Sequence, residues 1–566
     1  MGVIQLKEAN CRNCYKCIRS CPVKSITFHD DQARILEDEC VLCGTCTLVC
    51  PQNAKQIESD LPQVRAMLER REQVVVSLAP SFVAAFPEAT FESMTAALMR
   101  LGFAAVEETA IGATQVSEAY ARIMEEHTQG NLITTCCPTI VSLVQKHFPD
   151  LLPQLAHVAS PAVVHARLLR GVWGGKAKVC FIGPCISKKQ EARTSGEIDA
   201  VLMFGELRDW FEREGIDLHE EAAGARPMHH TISRLYPVPG GIIKTIPPER
   251  RRGYTAIAVD GLDRCIRTLQ DIRESRITGY LLEMSSCVDS CVGGPAIHEY
   301  DRAPSFLLSK EAVYGFSRRQ EAGKAPETEA ITAPLGADYP ALRRHNDMPT
   351  EEQIAEILRS IGKVSPADML NCGGCGYNTC REKAIAVFQG KADVRMCLPY
   401  MRQRAESTAN TILDNTPNAL ISLDREFHIL SFNPSAVRLF NFGRDCIGMD
   451  ASLFIDMTAF TPILETGKNI MNVRCKTAIY DMTVEQSIIA MPNNEYLVIL
   501  KDISAEEENL RAMEKMRSDT LETAQAVIDK QMRVAQEIAS LLGETTGETK
   551  AALLRLKSSL NGGAQA

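Results

Sequence analysis

No run in this 566-residue chain approaches the eighteen or so consecutive apolar residues that a membrane-spanning helix requires. The first residues, MGVIQLKEANC, have no basic segment followed by an apolar one, which argues against an export signal and makes the cytoplasm the expected location. Basic charge is not in excess either. Lys and Arg number 62 against 71 Asp and Glu, a formal net charge of −9, so neither nucleic acid nor a membrane surface is expected as the main partner. After His428 there is no further histidine, so the last segments carry no phospho-accepting histidine. The remaining chain is also too short for an ATP-binding domain, and any signalling output is expected to pass through a partner such as a kinase or phosphatase.

Cysteine, by contrast, is plentiful: 21 of them in a chain with ordinary hydrophobic (45%) and charged (23%) fractions. The length implies several domains, each able to bury its own core. Without an export signal these thiols are not expected to form disulfides, and metal or redox chemistry is the better use for them.

Their spacing says which. Cys11, Cys14, Cys17 and Cys21 precede Pro22, and Cys40, Cys43, Cys46 and Cys50 precede Pro51. This is CxxCxxCxxxCP written twice, in which the first three thiolates of each run hold one [4Fe-4S] cubane and the fourth ligates the other. Cys50 is thus expected to complete the first cluster and Cys21 the second. A pair of zinc sites is the alternative. The segment 1–60 resembles a bacterial two-cluster ferredoxin. Further on, NCGGCGYNTC supplies Cys372, Cys375 and Cys380, and VRMCLPY supplies Cys397. Zinc and a cubane both suit that spacing; the resemblance to a small iron-sulfur domain of anaerobic electron-transfer proteins favours the cubane, within 346–404.

Between these groups, Cys137 lies in TTCCPT, Cys185 in FIGPCISKKQE, and Cys287 and Cys291 in EMSSCVDSCVGGPA. Each loop adjoins a strand-like apolar run, so the pieces read as α/β units presenting loops to one site. The three loops resemble the three motifs of the [FeFe]-hydrogenase catalytic domain over residues 73–315. The resemblance implies that Cys137, Cys185, Cys287 and Cys291 hold a cubane, and that Cys291 also bridges to a diiron subcluster bearing CO, cyanide and a dithiolate. It implies that Lys188 donates a charge-assisted hydrogen bond to a cyanide, and that Pro80 and Ser81 in SLAPSFV line the diiron unit. Most lysines are simply solvated, which is the plain alternative for Lys188.

The vicinal pair Cys136-Cys137 poses its own question. Adjacent side chains on an extended segment point in roughly opposite directions, so the two thiols are expected to have separate jobs. By the resemblance Cys137 is the ligand and Cys136 the proton-carrying thiol beside the distal iron. Glu118 in QVSEAY and Ser160 in VASPAV sit at places resembling the family's proton relay, with a surface glutamate and a helix-capping serine as the alternatives. Cys180 and Cys265 read as buried structural thiols, and His229 and His230 as surface residues.

The sequence departs from the catalytic pattern where turnover-optimised relatives carry methionine: here stand Gly183 and Ser285. Losing two soft side chains is expected to loosen and wet the pocket and slow the chemistry. These departures resemble the sensory subgroup of [FeFe]-hydrogenases.

Residues 316–345, rich in charge, Ala and Pro without periodicity, are expected to be a linker. Residues 405–504 resemble a PAS domain, with strand alternation, a turn at DREF and a later hairpin turning at Pro492-Asn493-Asn494. His428, Cys446 and Cys475 do not specify haem or flavin. In 505–566, Met513, Met516, Thr520, Ala524, Val527, Val534, Ile538 and Leu541 recur every three or four places, as in a coiled-coil-like signalling helix that favours a homodimer. Gly543 through Gly547 break it before a second helix.

The expected protein is a multidomain α/β and α+β chain: ferredoxin-like clusters, an H-cluster domain, a small iron-sulfur domain, PAS and helices. It would split H2 reversibly and slowly into protons and electrons, exchanging them with a redox protein such as a ferredoxin. The alternatives are a non-catalytic hydrogenase-like iron-sulfur interaction protein without a diiron unit, and a conventional electron-transferring hydrogenase.

Overall fold

The computed structural model describes residues 2–29, 32–126, 130–219, 231–297, 305–319, 331–342, 347–477, 482–542 and 546–561. His229 and His230 lie outside them. The chain divides into two compact units, Met1–Tyr400 and Met401–Ala566. Among the described residues no helix is long and apolar enough to cross a membrane.

In the first unit, β1 (Ile4–Leu6), β2 (Ile26–His29), β3 (Gln32–Ile35) and β4 (Lys55–Ile57) form two small antiparallel pairs, β1 with β4 and β2 with β3. Then come β5 (Val74–Leu78), β6 (Ala105–Glu108), β7 (Leu132–Ile133), β8 (Lys178–Gly183), β9 (Ala200–Met203), β10 (Thr255–Asp260) and β11 (Tyr280–Ser285). They make two parallel sheets, in the orders β6-β5-β8-β9 and β10-β11-β7. The run VVVSL of β5 is buried on both faces, as a central parallel strand covered by helices must be.

One apolar core runs from Val3 through the parallel sheet to Met396. The 372–397 segment docks on the first sixty residues: Lys24 Nζ donates to Gly376 O at 2.7 Å, Phe28 N to Lys391 O at 3.1 Å, and a buried ion pair joins Lys391 to Glu39 at 2.7 Å.

The stretch expected as a linker at 316–345 differs. The helix Phe306–Arg318 extends into it, and residues 331–342 lie along the unit as an extended strap. Ala159 N donates to Leu335 O, Ala337 N to His157 O, Leu342 N to Gln145 O and Gln115 Nε2 to Ile331 O. Hydrogen bonds to the strap's own main chain hold it, and they leave no side-chain period to read.

The second unit contains β12 (Ala419–Leu423), β13 (Ile429–Phe432), β14 (Ile470–Lys476), β15 (Thr483–Met491) and β16 (Glu495–Asp502), one antiparallel sheet in the order β13-β12-β16-β15-β14. The hairpin turns at Pro492–Asn494, pairing Met491 with Glu495. Ala419, Ile421, Phe440, Phe460, Ile488 and Val498 fill its core. The helices Ser504–Leu542 and Thr546–Asn561 follow, the first with Met513, Met516, Val527, Val534 and Ile538 exposed in the single chain.

Candidate metal centre

Four parallel strands end at one place, as loops at the C-terminal ends of such strands do in open α/β sheets. Beyond β5 come Pro80 and Ser81; beyond β7, Cys136 and Cys137, with Cys137 capping the helix Pro138–His147. Beyond β8 comes Cys185, one turn before Lys188 on the helix Ser187–Ser195, and beyond β11 come Cys287 and Cys291. These side chains line one cavity of about 100 Å³, together with Phe181, Glu283 and Ser285.

The polar groups around it form a connected set. Lys188, 7% exposed, donates from Nζ to Ser160 Oγ at 2.7 Å and to Glu191 Oε2 at 2.5 Å, and Ser160 Oγ donates to Glu191 at 2.9 Å. Burial, the largest influence, lowers the Lys188 pKa, but the Glu191 carboxylate together with the Cys136 and Cys185 sulfurs offsets it and the net shift is upward. Lys188 is therefore a held ammonium on the cavity wall. Ser160 also caps the helix Pro161–Trp173 by accepting from Val163 N, so the capping reading and the contact with Lys188 hold together. Burial pushes the Cys136 thiol up to about 12. Ser286 Oγ sits 3.7 Å from Cys137 Sγ and 3.8 Å from Cys287 Sγ.

Two residues differ from expectation. Glu118 does not reach the cavity: it is 42% exposed and paired with Arg122 and Arg250, the surface arrangement weighed as its alternative. Gly183 does not line the cavity, and its missing side chain leaves no gap. A Cβ there would lie 2.7 Å from Phe181 Cε1, and it is Phe181 that lines the wall. Ser285 is on the wall, its Oγ 2.8 Å from Ser290 Oγ.

Glu283 was not singled out from the sequence. It is 4% exposed, accepts from Gly240 N at 2.9 Å and Ile243 N at 3.0 Å, and burial pushes its carboxyl up to about 7. An acidic residue inside the apolar run YLLEMS was the available signal.

Two further sets of thiols each line a cavity. Cys21 joins Cys40, Cys43 and Cys46 around one cavity. Cys17 lies within electrostatic reach of Cys50 and Cys11, and Cys14 of that set is exposed. Cys372, Cys375, Cys380 and Cys397 share another cavity. Among the described residues no three His, Cys, Asp or Glu side chains converge closely enough for one ion. Four cysteines gathered at one cavity are the donor set of a [4Fe-4S] core. Burial pushes Cys43 up to about 11 and Cys185 to about 12. Such sulfurs become thiolates only against compensating positive charge, which an iron-sulfur core brings. Cys180 and Cys265 are fully buried, Cys265 donating to main-chain carbonyls.

Residues 72–295 match the family model of the iron only hydrogenase large subunit, C-terminal domain. Residues 10–54 match the 4Fe-4S dicluster domain, and 368–399 an Fe-S cluster family. The chain is 25% identical over 363 residues to the NADP-reducing hydrogenase subunit HndD of Solidesulfovibrio fructosivorans, covering 52% of this chain and 61% of that subunit. It is 26% identical over 311 residues to the periplasmic [Fe] hydrogenase large subunit of Nitratidesulfovibrio vulgaris, covering 48% of this chain and 74% of that protein. The chain thus spans less than two thirds of the length of the first of these relatives. A solved variant of the [FeFe]-hydrogenase HydA1 from Chlamydomonas reinhardtii shares 18% identity over 51% of this chain and all of its own, with a TM-score of 0.39. Over these residues the chain is similar to hydrogenase large subunits and to iron-sulfur cluster domains.

Proposed function

We propose that the cavity ringed by Cys137, Cys185, Cys287 and Cys291 would hold a four-iron cubane and a diiron group, and that the protein slowly and reversibly converts H2 into two protons and two electrons. The convergence of those four thiols with Lys188 and Cys136 on one buried cavity carries this reading. When bound, the diiron group with its CO, cyanide and dithiolate supplies the centre at which H2 is split.

The chain's own residues do the rest. Lys188, fixed by Glu191 and Ser160, offers an ammonium to an anionic cyanide, a pairing that gains strength out of water. Pro80, Ser81 and Phe181 keep bulk water from the wall. Cys136 passes the proton, and Glu283, on the same wall with its pKa near neutrality, is the next acceptor. Cys21, Cys40, Cys43 and Cys46, which line one cavity, would hold a further cubane, which would supply one-electron redox chemistry. The exchanging partner is a ferredoxin-like redox protein in the cytoplasm. The 405–504 PAS domain and the helices beyond it carry the redox state, as a homodimer, to a kinase or phosphatase.

The test is hydrogen-deuterium exchange and dye-coupled H2 oxidation by protein made with the hydrogenase maturation enzymes. Exchange well above the protein made without them supports the reading; none, with stoichiometric zinc in place of iron, overturns it.

A further inference from the structure

Behind the cavity wall lies a hydrogen-bonded row that the reaction outlined above does not use. Thr109 lines the cavity. Its Oγ1 is 2.8 Å from Ser77 Oγ, and Ser77 Oγ is 2.8 Å from His165 Nδ1. The imidazole is fully buried and its Nε2 has no hydrogen-bond partner, but it faces Glu107 Oε2 at 3.7 Å, and the Glu107 side chain is 15% exposed. Gly112 makes room for this row, since a Cβ there would lie 2.8 Å from His165 Cβ and 2.4 Å from Pro161 O.

A histidine that merely pinned its helix to β5 would need only its Nδ1 contact, and leaving a buried ring nitrogen without a hydrogen bond is unfavourable. Here that nitrogen is aimed at a part-exposed carboxylate, and a movement of the Glu107 side chain of under about 1 Å would bring it to hydrogen-bond distance.

We propose that Glu107, His165, Ser77 and Thr109 form a second proton line between solvent and the cavity, separate from Cys136 and Glu283. It rests on the reading of the cavity as a site of proton chemistry. One proton arrives at His165 Nε2 from the Glu107 carboxyl, the Nδ1 proton passes to Ser77 Oγ, the Ser77 hydroxyl proton passes to Thr109 Oγ1, and the Thr109 hydroxyl proton enters the cavity. Reprotonation of Glu107 from solvent, rotation of the two hydroxyls and a turn of the His165 ring about its Cβ–Cγ bond then reset the row, with no charge left on it. The reverse sequence carries a proton out.

The test needs no hydrogen chemistry. In the full-length chain carrying its cubanes, the infrared S–H band of Cys136, identified by its loss in Cys136→Ala, decays on mixing into D2O as protons exchange with the cavity. In a Glu283→Gln background, adding the near-isosteric Thr109→Val is expected to slow that decay at least tenfold, and adding Glu107→Gln at the outer end is expected to slow it likewise. Should Thr109→Val lose iron or unfold, Glu107→Gln carries the comparison. Decay as fast as in Glu283→Gln alone overturns the line. A chain that shows this dependence but gains no exchange activity on maturation would keep the line and lose the proposed function.

Discussion

The ring of Phe181 occupies the space that a side chain at position 183 would need, with a Cβ on Gly183 falling 2.7 Å from Phe181 Cε1. The two positions therefore act as one packing unit. Gly183→Met is expected to destabilise the first unit by about 1–3 kcal/mol through overpacking and to lower iron retention. Adding Phe181→Ala should restore both. Thermal unfolding and iron content of the single and double variants check this, and a double variant no better than Gly183→Met would show that the positions are independent.

Cys136 and Cys137 are adjacent but unequal. Cys137→Ala removes a thiolate that the cubane requires and should empty the site. Cys136→Ala should keep iron and slow exchange by about 10²–10⁴, the usual worth of a positioned general acid. Iron analysis alongside exchange rates separates the two, and loss of iron in Cys136→Ala would make it a ligand.

The grouping of Cys21 with Cys40, Cys43 and Cys46 around one cavity was legible because the spacing CxxCxxCxxxCP is written twice in the chain. What was not legible depended on the partner group. Glu118 occupies a relay-like place along the chain, but its helix face turns it to Arg250, 132 residues away. Glu283 looked like any acid on a strand until the fold brought Gly240 N and Ile243 N to it. Gly183 read as a lost side chain because Phe181, two residues back on the same face of β8, was not weighed with it.

Glu283 gives a pH signature with a definite sign. Its folded pKa of about 7 lies above the usual 4.5, so between those values the native state holds a proton that the unfolded chain has released. The stabilisation this confers is fully present below 4.5 and is lost as the pH rises through 7, on the order of 3 kcal/mol in all. The titratable groups within its reach are Cys136 and Tyr236, both raised by burial and neutral in this range. Glu283→Gln should flatten that slope in denaturation curves and lower exchange at least tenfold at neutral pH. An unchanged slope would remove Glu283 from the account.

Removing residues 405–566 should leave hydrogen chemistry nearly intact, because every proposed ligand belongs to Met1–Tyr400, which has its own continuous core. Iron content and exchange activity of the truncated chain are the check. A folded truncation with full iron but no exchange would contradict the modular reading.

Infrared spectroscopy of the full-length protein matured with the diiron assembly enzymes, alongside iron analysis, decides whether the cavity takes up a diiron group. The account predicts CO and cyanide stretching bands and about eighteen irons per chain, from four cubanes and one diiron group, with both bands absent and about two irons fewer when the maturation enzymes are omitted. Matured protein with four intact cubanes and no CO or cyanide bands would contradict it.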